Sequence, residues 1–256
     1  MNIAVISPGN RGTGVTSLAI LLGIDLTNRG NSVVVTSLAP GRSALREYVG
    51  DIPNDLGDIE NGMRDLLRVK EAGTLEASDV GSYCIDLGVD IMLRSEGLTD
   101  KEVAEAIEFI SSSTLNGRGM ITIVDVDVED MMKPSVEMEI KAADVVVVVL
   151  TQNVTHIKEF SRNRNNMAKA FAKKKVLVAV NKYDKFAGTL KDVWNKAGIK
   201  YGDGWFEIRY NSCVPLMTAK CFISQAAEAM KKANDLDIIE LKADIARLGA
   251  ASEKRR

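Results

Sequence analysis

Residues Val145 to Leu150 read Val-Val-Val-Val-Val-Leu. A strand with one face in water alternates apolar and polar side chains, whereas an unbroken aliphatic run has to be covered on both faces. That condition is met by a parallel sheet sandwiched between helices. Val176 to Asn181 (Val-Leu-Val-Ala-Val-Asn) makes the same demand. Ile3 to Ser7, Val33 to Leu38, Ile91 to Leu93 and Met120 to Asp125 read as further strands. Between them lie helical stretches. Thr16 to Arg29 carries Leu18, Leu22 and Leu26 at helical spacing, and Thr99 to Ser113 opens on a Thr99/Glu102 capping box with an apolar stripe at Val103, Ala106, Ile107 and Ile110. The expected fold is α/β and doubly wound, with a mainly parallel sheet of about seven strands flanked by helices.

A length of 256 residues, with 46% hydrophobic and 27% charged side chains, suits one such domain, here taken as residues 1–256 with a helical tail over 235–256. Asp51 to Gly88 and Lys185 to Asp203 carry weaker signals, apart from a helix around Met63 to Lys70, and read as peripheral insertions. The longest aliphatic run is too short to cross a bilayer and no basic stretch precedes the first strand, so a cytosolic location is expected. Three cysteines (Cys84, Cys213, Cys221) and one histidine (His156) form neither a CxxC pair nor a metal-ligand spacing, which argues against a disulfide framework and zinc chemistry. The net charge of −2 hides a polarity: Asp51 to Glu108 holds 15 acids and 5 bases, Lys158 to Arg256 holds 21 bases and 11 acids. Such a separation attracts anions to one part of the chain or lets the two parts complement each other.

The first strand runs into Pro-Gly-Asn-Arg-Gly-Thr-Gly-Val-Thr-Ser (Pro8 to Ser17). Glycines at Gly9, Gly12 and Gly14 let successive backbone N–H groups turn toward an anion, and the helix that follows adds its positive end to the same spot. A P-loop requires G-x-x-x-x-G-K-[ST]. Gly9 and Gly14 keep the separation and Thr16 supplies a hydroxyl for Mg²⁺, but the lysine position is Val15. Without that ammonium, phosphate binding weakens and transition-state charge is left largely uncompensated. A dinucleotide fingerprint fits less well: the glycines do not space as G-x-G-x-x-G, and the second strand ends in Thr36 and Ser37 where a ribose-binding acid is needed.

The loop resembles that of the ParA/MinD group of deviant Walker A ATPases, G-K-G-G-x-G-K-[ST]-[ST]. Gly9, Gly12, Gly14, Thr16 and Ser17 match it, while Asn10 and Val15 stand where the family has its two lysines. Val33 to Pro40 (VVVTSLAP) resembles the family strand ending in D-x-D-P, with Ser37 and Ala39 in the acidic places. Ile121 to Asp125 (ITIVD) is similar to the Walker B strand, Ala142 to Thr151 to the following A-D-x-hydrophobic strand, and Val176 to Lys182 to the strand whose asparagine meets adenine. The resemblance spans roughly residues 1–232. It implies ATP and Mg²⁺ as the ligands, with binding weakened or lost, and a nucleotide site made of Gly9, Asn10, Arg11, Gly12, Thr13, Gly14, Val15, Thr16, Ser17 and Asn181. Thr16 and Asp125 are its candidate Mg²⁺ residues.

Each residue also has a plainer reading. A glycine-rich turn serves close packing as well as phosphate binding. Asp125 coordinates Mg²⁺ through water or caps a loop, Asn181 meets adenine or makes a strand-end turn, and Arg11 reaches a phosphate or sits in solvent. The helix from Thr155 to Ala172 sets Ile157, Phe160, Met167, Ala168 and Phe171 on one stripe and Lys158, Arg162, Lys169 and Lys173 on another. The basic stripe is a solvated face or, as in ParA-like partition ATPases, a nonspecific DNA surface. The tail places Ile238, Leu241, Ile245 and Leu248 on one side, but its five acids balance its five bases and it has no tryptophan or phenylalanine. It is expected to pack on the domain or on another chain rather than on a membrane. With both lysines and the switch acids replaced, the resemblance implies a hydrolysis-deficient protein that works through protein partners and as a possible homodimer. A localisation or scaffold role is expected for a secretion, pilus or mobile-element assembly, as in the TadZ/CpaE branch. The competing expectation is a weak ParA-like ATPase in DNA partition.

Overall fold

The computed structural model describes residues 1–7, 12–39, 44–50, 62–73, 77–115, 118–126, 134–171, 174–197, 204–211, 214, 222–232 and 235–254. Strand β1 (Asn2–Ile6) leads through the glycine loop into helix α1 (Val15–Asn28), which is followed by β2 (Val33–Ser37), α2 (Ala44–Val49) and α3 (Gly62–Glu71). The short strands β3 (Ile85–Asp86) and β4 (Asp90–Ile91) precede α4 (Asp100–Ser112), and a two-residue ribbon, β5 (Thr114–Leu115) with β6 (Arg118–Gly119), precedes β7 (Ile121–Val126). Then come α5 (Pro134–Ala142), β8 (Val145–Leu150), α6 (Val154–Ala170), β9 (Lys175–Tyr183), α7 (Leu190–Ala197), β10 (Trp205–Arg209), α8 (Phe222–Lys232) and α9 (Leu236–Glu253).

Among the described residues the main sheet has eight strands in the order β10-β9-β8-β1-β7-β2-β4-β3, all parallel except the β3–β4 pair. This is the expected doubly wound, mainly parallel sheet of about seven strands. Strands β3 and β10 lie at the two edges and carry no aliphatic run: β3 has two residues, and Trp-Phe-Glu-Ile-Arg in β10 buries only Trp205 and Ile208. The valine runs behave as their composition requires. Both β1 and β8 are buried along their whole length, because one apolar layer covers one face of the sheet and a second layer covers the other.

Helix α1 is apolar nearly all round, with Leu18 through Leu26 buried, because it lies between the sheet and the helices α8 and α9. It approaches the sheet closely: a Cβ on Gly23 would stand 2.6 Å from Val35 Cγ2. The α4 capping box forms as expected, with Thr99 Oγ1 accepting from the Glu102 N–H and the Glu102 carboxylate accepting from the Thr99 N–H. The tail also packs on the domain. Leu241, Ile245 and Leu248 of α9 are buried against α1 and the sheet edge. Arg29, the C-cap of α1, reaches the Ala246 carbonyl and the Glu253 carboxylate, and Asn31 Nδ2 donates to Glu253 Oε1 at 2.9 Å. Among the described residues no helix is long and apolar enough to cross a membrane.

Candidate functional site

The glycine loop opens at the C-terminal end of β1, the central strand, between the ends of β7 and β8. This is where an open parallel sheet presents its crevice. Gly12 and Gly14 both have left-handed backbones, φ +86° and +85°. Gly14 is the N-cap of α1 and, as a glycine, provides no side-chain cap, and its carbonyl accepts from the Leu18 N–H at 2.9 Å. The first-turn N–H groups and the helix dipole favour an anion in front of them. A Cβ on Gly14 would collide with the Asn181 amide, so glycine is required twice over, by conformation and by space. Gly9, Asn10 and Arg11 lie outside the described residues.

Thr16 and Asp125, from the start of α1 and the end of β7, come together: Thr16 Oγ1 donates to Asp125 Oδ2 at 2.8 Å, and both residues are buried. A hydroxyl and a carboxylate, both hard oxygen donors, suit Mg²⁺, which completes its shell with phosphate and water. Among the described residues there is no group of three or more His, Cys, Asp or Glu side chains for an all-protein metal cage. Val15 is only 5% exposed and packs within the apolar layer that contains Leu18 and Leu22, so the side chain at the lysine position belongs to the core. Ser37, at one of the acidic places, is buried, and its Oγ accepts from the Ala39 N–H at 3.2 Å. Ser17 Oγ lies 3.5 Å from the Tyr48 hydroxyl.

The end of β9 closes the loop from the other side. Asn181 Nδ2 donates to the Thr13 carbonyl at 2.8 Å, and Lys182 Nζ donates to the Gly12 carbonyl at 2.8 Å. Two adjacent strand residues reach one loop because Lys182 is bulged out: Asn181 pairs with Ile208 and Tyr183 with Arg209, with Lys182 skipped. Lys182 has φ 55°, the single positive-φ residue other than glycine among those described. A side chain in this conformation costs about 1–2 kcal/mol. Asn181 is a site residue expected from the sequence; Lys182 is not, although it is the cation directly after the strand-end asparagine in Val-Asn-Lys.

Next to the loop is a cavity of about 420 Å³ walled by Gly14, Ser17, Tyr48, Lys182, Tyr210 and Phe222. Its aromatic side is the Tyr48–Phe222 pair, with ring centroids 4.6 Å apart. A volume of this size suits a small ligand such as a nucleoside. Neither aromatic residue was singled out in the sequence, since both come from short segments without a periodic signal.

The basic residues of α6 are not among those lining the cavity. Lys158, Arg162 and Lys169 are exposed, Ile157 and Phe160 are buried, and Phe171 packs at the layer's margin. Lys173 and the side chains of Met167 and Ala168 lie outside the description. Of the cysteines, Cys84 is buried and its thiol is pushed up by burial, as expected of an inert core thiol; Cys213 and Cys221 are not among the described residues. His156 Nδ1 lies 2.6 Å from Thr151 Oγ1, and burial pushes the imidazole down.

A glycine loop between the central strand and a buried helix, with a hydroxyl–carboxylate pair beneath it, defines the P-loop nucleotide-binding architecture. Solved structures of that architecture superpose on nearly the whole chain. A ParA family ATPase from Chlorobium tepidum TLS matches with a TM-score of 0.69 at 14% identity, over 97% of this chain and 98% of that one. The MinD of the MinC:MinD cell division complex from Aquifex aeolicus matches at 0.65 and 16% identity, over 98% and 94%. The septum site-determining protein MinD complexed with Mg-ADP, from Pyrococcus horikoshii OT3, matches at 0.65 and 14%, over 99% and 97%. The fold is that of the MinD and ParA ATPases. No family model matches the sequence, and no curated protein matches it.

Proposed function

We propose that this chain is a MinD/ParA-like protein that binds a Mg²⁺–nucleotide at the glycine loop without efficient hydrolysis, and that it acts as a localisation or scaffold protein for a larger assembly. The observation that carries this reading is Val15. Its side chain is committed to the core, so no ammonium enters from the lysine position to neutralise charge developing on the transferred phosphoryl group. Binding parts remain: left-handed glycines, the open N-terminus of α1 and the Thr16–Asp125 pair. Bound nucleotide would present its phosphates to the loop amides and, through Mg²⁺, to Thr16 and Asp125. The Mg²⁺ would supply charge neutralisation between the phosphate oxygens.

The fold neighbours support both halves of the reading, since one is a MinD holding Mg-ADP and another is a MinD in complex with MinC. Protein partners and pairing with a second copy are therefore the expected modes of action. A secretion, pilus or mobile-element assembly is the expected setting.

A second reading, a weak ATPase active in DNA partition, draws on Lys182, which brings an ammonium to the Gly12 carbonyl, and on the exposed line of Lys158, Arg162 and Lys169. Single-turnover measurements with Mg-ATP and Mg-GTP separate the two. The scaffold reading expects nucleotide binding with hydrolysis at the background rate and partner binding that persists without nucleotide. Turnover that disappears in Asp125→Ala would establish the ATPase instead.

A further inference from the structure

Two pairs of exposed apolar side chains stand beside charges of opposite sign. The first pair follows β8 and β9. Phe186, 87% exposed, sits on the tight turn Lys185–Ala187, and Val154 is exposed in the first turn of α6. Gln152 binds the two segments together: its Nε2 donates to the Asp184 and Gly188 carbonyls at 2.9 and 2.8 Å, and its Oε1 accepts from the Asp184 N–H at 2.7 Å. The Asp184 carboxylate caps the turn by accepting from the Phe186 N–H at 2.9 Å. The phenyl ring is thus held out from a fixed base, and an aromatic anchor that is already placed loses little freedom on binding.

The charges presented around it are basic. Lys185 Nζ lies 5.2 Å from the Phe186 ring centroid, Lys158 stands one helical turn on from Val154, and Lys191 lies in the first turn of α7. All three lysines are exposed and have no ion-pair partner among the described residues. The acids of this stretch are engaged locally. Asp184 caps its own turn, Asp192 Oδ2 accepts from the Thr189 N–H and Oγ1 at 2.8 and 2.7 Å, and Glu159 is half-buried.

The second pair lies at the N-terminus of α9. Leu236, 69% exposed, and Ile239, also exposed, are three residues apart and share one side of the helix. Asp235 and Asp237 flank Leu236, are exposed, and have no ion-pair partner among the described residues. This turn is fixed as well: Asp235 Oδ1 accepts from the Asp237 N–H at 2.8 Å, and Asn211 Nδ2, just beyond β10, donates to the Asp237 carbonyl at 2.8 Å. The two patches lie on opposite faces of the sheet and do not meet within one molecule. Helices α6 and α7 bury Ile157, Phe160 and Val193 in one apolar layer, and α9 buries Leu241, Ile245 and Leu248 in the other.

We propose that the basic Phe186 patch of one copy docks on the acidic Leu236 patch of a second copy. The occupant is this chain because it carries both halves of the match, each apolar at its centre and opposite in charge at its rim. The contact joins two different surfaces, so every copy that joins still presents a patch of each kind, and growth continues until a ring closes or the copies run out. It gives pairing with a second copy a surface that needs no nucleotide, and its failure leaves the nucleotide-binding reading standing.

Sedimentation velocity of the full chain without nucleotide tests this on the native protein, on Phe186→Asp, which sets an acid against Asp235 and Asp237, and on Leu236→Lys, which sets a cation against Lys158 and Lys185. The native chain is expected to gain mass as its concentration rises from about 5 to about 200 μM at low salt, and to lose that gain at about 0.5 M salt, where charges are screened within a few ångströms. Each variant alone is expected to associate at least tenfold more weakly. An equimolar mixture of the two is expected to form a heterodimer and nothing larger, because one intact patch of each kind remains. A native chain that stays monomeric throughout overturns the proposal and leaves the patches to another protein or to a lipid surface. Association undiminished in either variant, or a mixture that recovers none, assigns the contact to a different surface and overturns it as well.

Discussion

Single side chains in this molecule show where burial sets chemistry. Glu139 of α5 is buried and accepts a hydrogen bond from Asn2 Nδ2 at 2.9 Å, yet burial outweighs that bond and the nearby Lys174 charge and pushes the carboxyl up to about 7. A carboxyl whose folded pKa lies above its ordinary value of 4.5 holds its proton more tightly in the native chain than in the unfolded one. Its contribution to stability is therefore greatest in acid, declines as the pH rises between about 4.5 and 7, and levels off above that. The decline is on the order of 3 kcal/mol. Urea midpoints measured at pH 5 and pH 8 should differ less in Glu139→Gln than in the native chain, because glutamine keeps an acceptor for Asn2 and carries no proton to lose. Equal pH dependence in the two proteins would assign the slope to other groups.

Helix α9 and strand β10 are joined through one carboxylate. Asp244 has no exposed surface and accepts from the Arg209 N–H, Nε and Nη2 and from Arg247 Nη2, while Arg209 also pairs with Glu240 at 2.8 Å. The hydrogen bond to Asp244 comes first among the causes that hold the Arg209 guanidinium's pKa up. Removing one side of such a cluster leaves buried polar groups without partners and costs about 3–5 kcal/mol. Asp244→Ala should lose stability on that scale and Asp244→Asn distinctly less, with hydrogen exchange of the β10 amides rising in the alanine variant. Uniform exchange across the sheet would show that the cluster does not hold this edge.

The same scale explains what could be read from the chain. β8, β9, β1 and α1 were legible because unbroken aliphatic runs and leucines at helical spacing allow few alternatives. β10 was not, since an edge strand needs no continuous apolar face, and α2 and α8 are placed by the packing of Tyr48 and Phe222, which come together from 174 residues apart. At the site, Thr16 and Asp125 followed from the loop pattern and from a strand-end acid. The bulge that brings Lys182 to Gly12 depends on the pairing of β9 with β10 and left no periodic trace.

Taken as a whole molecule, the chain offers ligand binding as a readout. A nucleotide that binds only the native state stabilises it by RT ln(1 + [L]/Kd), about 2.7 kcal/mol at a hundredfold excess over Kd. For a protein of this size each kcal/mol raises the thermal midpoint by about 2–4 °C. A Mg²⁺-dependent rise of roughly 5–10 °C is therefore expected with saturating ADP. Thr16→Ala should retain a nucleotide-induced rise but lose its dependence on Mg²⁺, because the loop amides remain and the hydroxyl does not. A rise equally sensitive to Mg²⁺ in the variant would remove Thr16 from the metal's neighbourhood.

The embrace of α1 by α9 also orders events during synthesis. β1 lies in the middle of the sheet, hydrogen-bonded to β7 and β8, which are made after it, and α1 is covered by α9, made later still. On the ribosome, the leucine-rich surface of α1 must wait for some two hundred further residues before its cover exists. Contacts so distant along the chain slow folding and leave the nascent protein open to association with its neighbours. Leu18, Leu22 and Leu26 are therefore the surface that a nascent chain has to keep shielded until translation has passed Leu248.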